Sequence, residues 1–244
     1  MTEIIATPTY IATSFYGFSP TYIIIFVATA LASWIVSSTL KRRFHEYSQI
    51  PIQFTGAQIA ETMLRENGIT DVKVIHTPGK LTDHYDPTKK TVNLSEEVYA
   101  MNSIAAAAVA AHECGHAIQH AKSYAWLTMR SKMVPAVQFA GSTLNIFLIA
   151  SIVGAGIFNT PALLYVWVSL FAITTLFAFV TLPVEFDASR RALVWLEGSR
   201  VSSSMDHDKA KNALYWAAMT YVVAAIGSLA TLIYYVSMLF GRRD

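Results

Sequence analysis

Three stretches of this chain, residues 4–40, 133–184 and 212–241, contain no Asp, Glu, Lys, Arg or His. Each exceeds the roughly 20 residues that a helix needs to cross a bilayer, and the middle one has room for two crossings. Asn159, Thr160 and Pro161 punctuate that middle stretch as a tight turn. The expectation is four transmembrane helices, near residues 21–40, 136–158, 161–182 and 213–240. A soluble core made of the same segments would leave about half the chain as apolar helix with no amphipathic face. The composition, 54% hydrophobic and 14% charged over 244 residues, argues the same way.

The positive charges set an orientation. Of 18 Lys and Arg, 11 fall between residues 41 and 132, five between 190 and 211, two at the C-terminus and none before the first span. Lys41, Arg42 and Arg43 hold the downstream end of that span in the cytoplasm. The N-terminus is then outside, and both polar segments, 41–133 and 183–212, are cytoplasmic. Arg242 and Arg243 fall outside, against the rule. With no basic n-region and no clear cleavage site, the first span reads as an uncleaved anchor. A net charge of +2, with the basic residues tied to membrane boundaries, excludes nucleic acid as a partner and leaves the lipid bilayer.

Chemistry enters with His112-Glu113-Cys114-Gly115-His116. The preceding residues 103–111 are almost all alanine, the strongest helix former, and Asn102 or Ser103 can cap the start. On a helix, histidines four apart project from one face and can grip the same ion. Glu113 is turned by about 100°, so it can act on a water at the metal rather than on the metal itself. Cys114 also points away and reads as a small packing residue; as the only cysteine it can form no internal disulfide.

Residues 44–102 read as a small α+β unit. Thr55 and Gln58 form a capping box before the apolar face of Ile59, Ala60, Met63 and Leu64, and Asn67-Gly68 closes that helix. Residues 72–75 and 91–94 favour strands, with turn chemistry at 86–89 between them, as a hairpin or small sheet. The second strand runs into the motif helix. Its edge is expected near the metal, where unpaired backbone groups can bind an extended peptide, and Asn93 is the residue there expected to touch substrate.

Catalytic zinc takes three protein ligands and keeps a fourth position open. His120 shares the histidine face but lies about 12 Å along the axis from His112, too far for one ion. Lys122 stands where a third histidine of the metzincin type would fall. Glu185 follows the third span on the same side as the motif. Pro183 fits a helix start, with Glu185 and Asp187 in its first turn, and Asp187 is the fallback ligand. The competing role for Glu185 is to complement that helix terminus or to pair with Arg190.

Residues 111–119 (Ala-His-Glu-Cys-Gly-His-Ala-Ile-Gln), 81–87 (Leu-Thr-Asp-His-Tyr-Asp-Pro) and 182–192 (Leu-Pro-Val-Glu-Phe-Asp-Ala-Ser-Arg-Arg-Ala) together resemble the YugP-type family of bacterial neutral zinc metallopeptidases. The resemblance covers nearly the whole chain. It implies a membrane-embedded metallopeptidase of the bacterial cell membrane with Zn2+ held by His112, His116 and a downstream glutamate, acting on peptide or protein substrates; the charge asymmetry above is what turns the site to the cytoplasmic face. The arrangement is also similar to the HtpX and CAAX prenyl protease group, whose Glu-x-x-Ala-Asp departs here to Ser189. The carboxylate that would support a ligand from position 189 is missing, and Asp187 is the open alternative.

The expected fold is mainly α: a multi-pass helical membrane protein with about four transmembrane helices and a small zincin-like α+β unit on the cytoplasmic side. Its expected segments are 1–40 (first span), 41–134 (catalytic), 135–182 (transmembrane hairpin), 183–212 (third ligand) and 213–244 (last span). Glu113 serves as general base, and His84, Tyr85, Arg190 and Arg191 are candidates for stabilising the transition state. A site-2-type intramembrane protease is the enzymatic rival. It is disfavoured by Lys122, Arg130 and Lys132, read as part of the motif helix. A membrane scaffold with structural zinc is the rival without catalysis, disfavoured because such zinc takes four protein ligands, often thiolates.

Overall fold

A computed structural model describes residues 19–152, 161–199 and 206–241. The elements run α1 Pro20–Ser48, α2 Gly56–Glu66, β1 Lys73–Thr77, β2 His84–Asp86, β3 Thr91–Ser95, α3 Glu96–Tyr99, α4 Ile104–Ala121, α5 Ala125–Ile152, α6 Pro161–Gly198 and α7 His207–Phe240. Four of them, α1, α5, α6 and α7, are long and apolar enough to cross a membrane. Each overruns its charge-free stretch at one end, because a helix that has already formed extends into polar sequence at little cost. The turn expected at Asn159 and Thr160 lies outside the described residues.

The chain divides into two compact units, residues 1–34, 136–176 and 223–244 in one, and 35–135 and 177–222 in the other. In the first unit, hydroxyls and aromatic rings join the helices. Ser19 Oγ donates to Tyr234 OH at 2.9 Å, Thr175 and Ser228 share a hydrogen bond of 2.6 Å, and Trp167 meets Tyr235 edge to face at 5.5 Å. Gly227 of α7 brings that helix against α1, since a Cβ there would overlap the Thr29 side chain.

The second unit is built around α4. Ser103 caps it by accepting from the Ala106 N–H, and 14 of its 18 residues are buried, so it is the central helix of the unit and not a surface one. Its alanines let neighbours come close. Ile59, Met63 and Leu64 of α2 pack on it together with Val92 and Leu94 of β3 and with Ala192, Leu196, Ala210 and Leu214 of α6 and α7. The Thr55–Gln58 capping box starts α2, and Asn67 ends it ahead of Gly68 at φ +72°.

The sheet has the order β1-β3-β2, with β1 and β3 parallel and β2 and β3 antiparallel. Residues 72–75 and 91–94 therefore do not form a hairpin with each other. The hairpin joins β2 to β3, and Asp86 builds its turn by accepting from the Thr88 and Lys89 N–H groups at 2.9 and 3.0 Å. β3 is buried at all five positions and paired on both sides, so the expectation that it offers a free edge near the metal is overturned. Four consecutive apolar or β-favouring residues show that a strand exists, but not which neighbours it pairs with.

Candidate metal centre

His112 and His116 leave one face of α4 with their rings 4.8 Å apart and nearly perpendicular. Glu185 comes to them from α6, its Oε2 standing 3.3 Å from His112 Nε2 and 3.7 Å from His116 Nε2. All three donors lie within 4.8 Å of one another. Two donors on a tetrahedral zinc with bonds of about 2.0–2.1 Å stand about 3.3–3.4 Å apart, so the set fits that ion with small adjustments. Two imidazoles and one carboxylate also leave a fourth position free.

The other ring nitrogens are engaged. Gln119 Nε2 donates to Val184 O at 2.8 Å and to Asp187 Oδ2 at 2.9 Å, which turns its Oε1 toward His116 Nδ1 at 3.1 Å. That oxygen can only accept, so Nδ1 carries the proton and the Nε2 lone pair is left for a metal. Ser189 Oγ lies 3.1 Å from His112 Nδ1. Position 189 thus supports His112 with a hydroxyl, while Asp187 reaches His116 only through Gln119. Burial alone would lower the His116 pKa, but Glu185 and Glu113 reverse the effect and raise it. The pocket attracts positive charge where a metal would sit.

Gly115 makes the approach possible. A Cβ there would lie 2.5 Å from Ala188 O and 3.0 Å from Ala188 Cα, so any side chain would force α4 and α6 apart. Pro183 does not begin a helix, as the sequence had suggested; it lies inside the continuous α6. Proline there removes one helical hydrogen bond, but Val180, Val184, Ala188, Ala192 and Leu196 form an unbroken buried stripe through it. Packing holds the helix together where propensity would end it. Glu185 and Asp187 are consequently mid-helix groups.

The remaining candidates are dispersed. Arg190 and Arg191 both bind Asp187, at 2.6 and 2.5 Å, and so steady the Gln119 contact. Asp187, with three donors on its carboxylate, is not among the grouped ligand atoms. His84 and Tyr85 lie on β2, His84 Nδ1 on Thr82 O at 2.7 Å and Tyr85 OH on His120 Nδ1 at 2.7 Å. The Asn93 side chain donates to His84 O, Thr91 O and Thr91 Oγ1 and is buried in the central strand, which removes the structural ground for a substrate contact. Cys114 is buried with Sγ 3.5 Å from Ala60 O, and burial pushes its thiol well above the ordinary range.

Four contributors escaped the sequence reading. Gln119 and Ser189 were within reach, one turn along a helix from His116 and from Glu185. Arg130, with Nη1 3.6 Å from Glu185 Oε1, was assigned to the motif helix but belongs to α5. The backbone reverses between them at Ser123 (φ +50°), and Lys122 caps α4. Tyr221 of α7, inside an apolar run, approaches Glu185.

The chain is 36% identical over 225 residues to "Putative membrane protease YugP" of Bacillus subtilis (strain 168), covering 91% of this chain and 98% of that protein. No solved structure matches it. The family described as "Putative neutral zinc metallopeptidase" matches residues 22–240, and the chain, which carries four membrane-length helices and a zinc-competent His112–His116–Glu185 group, belongs to that family.

Proposed function

We propose that the protein hydrolyses peptide bonds at the cytoplasmic face of the membrane, with His112, His116 and Glu185 as zinc ligands and Glu113 as general base. The convergence of two Nε2 atoms and one carboxylate oxygen at 3.3 and 3.7 Å carries the reading. Zinc bound there supplies a Lewis acid that polarises a peptide carbonyl and lowers the pKa of a water to about 7.

Glu113 is 8% exposed and, among the described residues, its carboxylate makes no hydrogen bond or ion pair. It is free to take the proton of the attacking water as the C–O bond forms. It then returns that proton to the amine nitrogen as the C–N bond breaks. Gln119 and Ser189 keep both imidazoles aimed while this happens. Lys41, Arg42 and Arg43 at the downstream end of the first span support the cytoplasmic placement.

The test is a pair of variants of the full-length protein. Glu113→Gln should retain zinc and lose peptide cleavage by at least about 100-fold, the usual scale for a general base. His116→Ala should lose the metal itself. Cleavage surviving in the glutamine variant would sink the mechanism.

A further inference from the structure

The cationic residues near the ends of the spans were read as topology signals, and a cation serving only that purpose turns toward water or lipid headgroups. Arg130 does not. Between residues 125 and 135 only Leu127, Arg130 and Met133 are partly buried, Arg130 at 30% side-chain exposure, and their spacing of three puts them on one face of α5. Arg130 therefore occupies an inward position flanked by two apolar residues, whereas Lys132 points outward.

It meets there the second oxygen of a buried carboxylate, which Tyr221 also approaches. The Glu185 side chain is 3% exposed, and its Oε2 faces the two imidazoles. Its other oxygen, Oε1, faces Arg130 Nη1 at 3.6 Å. A buried carboxylate with one oxygen engaged carries a large desolvation cost at the second unless a cation or donor answers it. Among the described residues Arg130 is the only Lys or Arg within ion-pair distance of Glu185.

We propose that Arg130 is a positioning residue that holds Oε1 of Glu185 and so presents Oε2 alone to the metal. The inference rests on the ligand assignment above. A carboxylate tethered in this way would offer one oxygen, Oε2, to a metal at the histidines. Released, it can swing to bind through both oxygens or turn away. The short reversal at Ser123 and Tyr124 ties α5 to α4, with Tyr124 N–H on Gln119 O at 2.9 Å, so Arg130 and the histidines are set by one piece of chain.

Zinc affinity, measured by chelator competition on the full-length protein, should fall about 10- to 100-fold in Arg130→Gln, the usual cost of losing a ligand's supporting partner. Arg130→Lys should recover most of that loss, and Lys132→Gln should leave affinity unchanged. In a Glu185→Gln background the Arg130→Gln change should add little, because the charge it answers is gone, whereas a role in folding or topology would add in full. With Co2+ in place of zinc, the visible absorption should change in intensity in Arg130→Gln and return toward the parent in Arg130→Lys. A wild-type protein that binds zinc while Arg130→Gln binds it equally tightly overturns this inference alone. A wild-type protein that binds no zinc overturns the ligand assignment and this inference with it.

Discussion

The motif helix α4 and the first span α1 are both apolar, but for opposite reasons. In α4 the apolar residues are small and buried, with Ala105, Ala107, Ala108, Ala110 and Ala111 at 0% exposure. In α1 they are large and outward-facing, with Ile24, Phe26 and Trp34 at 62–68%. Small side chains let other helices and a strand approach α4 on every side, as a site assembled from separate elements requires. Large ones suit a lipid solvent that fills whatever space they leave. Side-chain size, more than hydropathy, separates a helix made for protein from one made for the bilayer.

The largest effects should come where α4 is touched. Met63→Ala removes a fully buried side chain that α2 packs on it, and about 2–5 kcal/mol of stability should go, seen as an earlier denaturation midpoint in detergent. An unchanged midpoint would mean that α4 is not packed as a core helix. A smaller loss, about 1–3 kcal/mol, is expected for Gly115→Ala, whose methyl would press on Ala188, with weaker zinc binding as α4 and α6 part. Its foil is Gly141→Ala in α5, where a Cβ meets nothing within 4 Å; equal effects at the two glycines would erase the distinction. Least of all, Phe26→Ala should stay within about 0.5 kcal/mol, because lipid or detergent replaces the ring. A loss of core size there would show that α1 meets protein on that face.

How much was legible follows the same division. Charge-free length announced four helices, because the cost of charge in hydrocarbon is a property of each segment alone. The capping box at Thr55 and the fixed pitch that pairs His112 with His116 were readable for the same reason: they are local. What failed was decided by distant neighbours. The pairing of β3 depends on where β1 and β2 lie, and Pro183 stays helical because a stripe from Val180 to Leu196 finds partners elsewhere. Arg130 was misplaced by a single left-handed residue, Ser123, which no propensity marks. Glu185 sat between these cases: its place after the charge-free stretch 133–184 was readable, and its approach to the histidines needed the fold.

Because α6 runs unbroken from Pro161 to Gly198, Glu185 is carried on the same rod that forms a membrane-length helix. Along such a rod the sequence keeps a phase. One residue added ahead of Glu185 turns everything beyond it by about 100° against the part before and advances it by about 1.5 Å, while seven residues nearly restore the angle. A loop would absorb such a change in its slack. Here the count of residues along one helix sets the bearing of a carboxylate, so an insertion ahead of Glu185 is felt where a substitution at an outward position of the same helix is not.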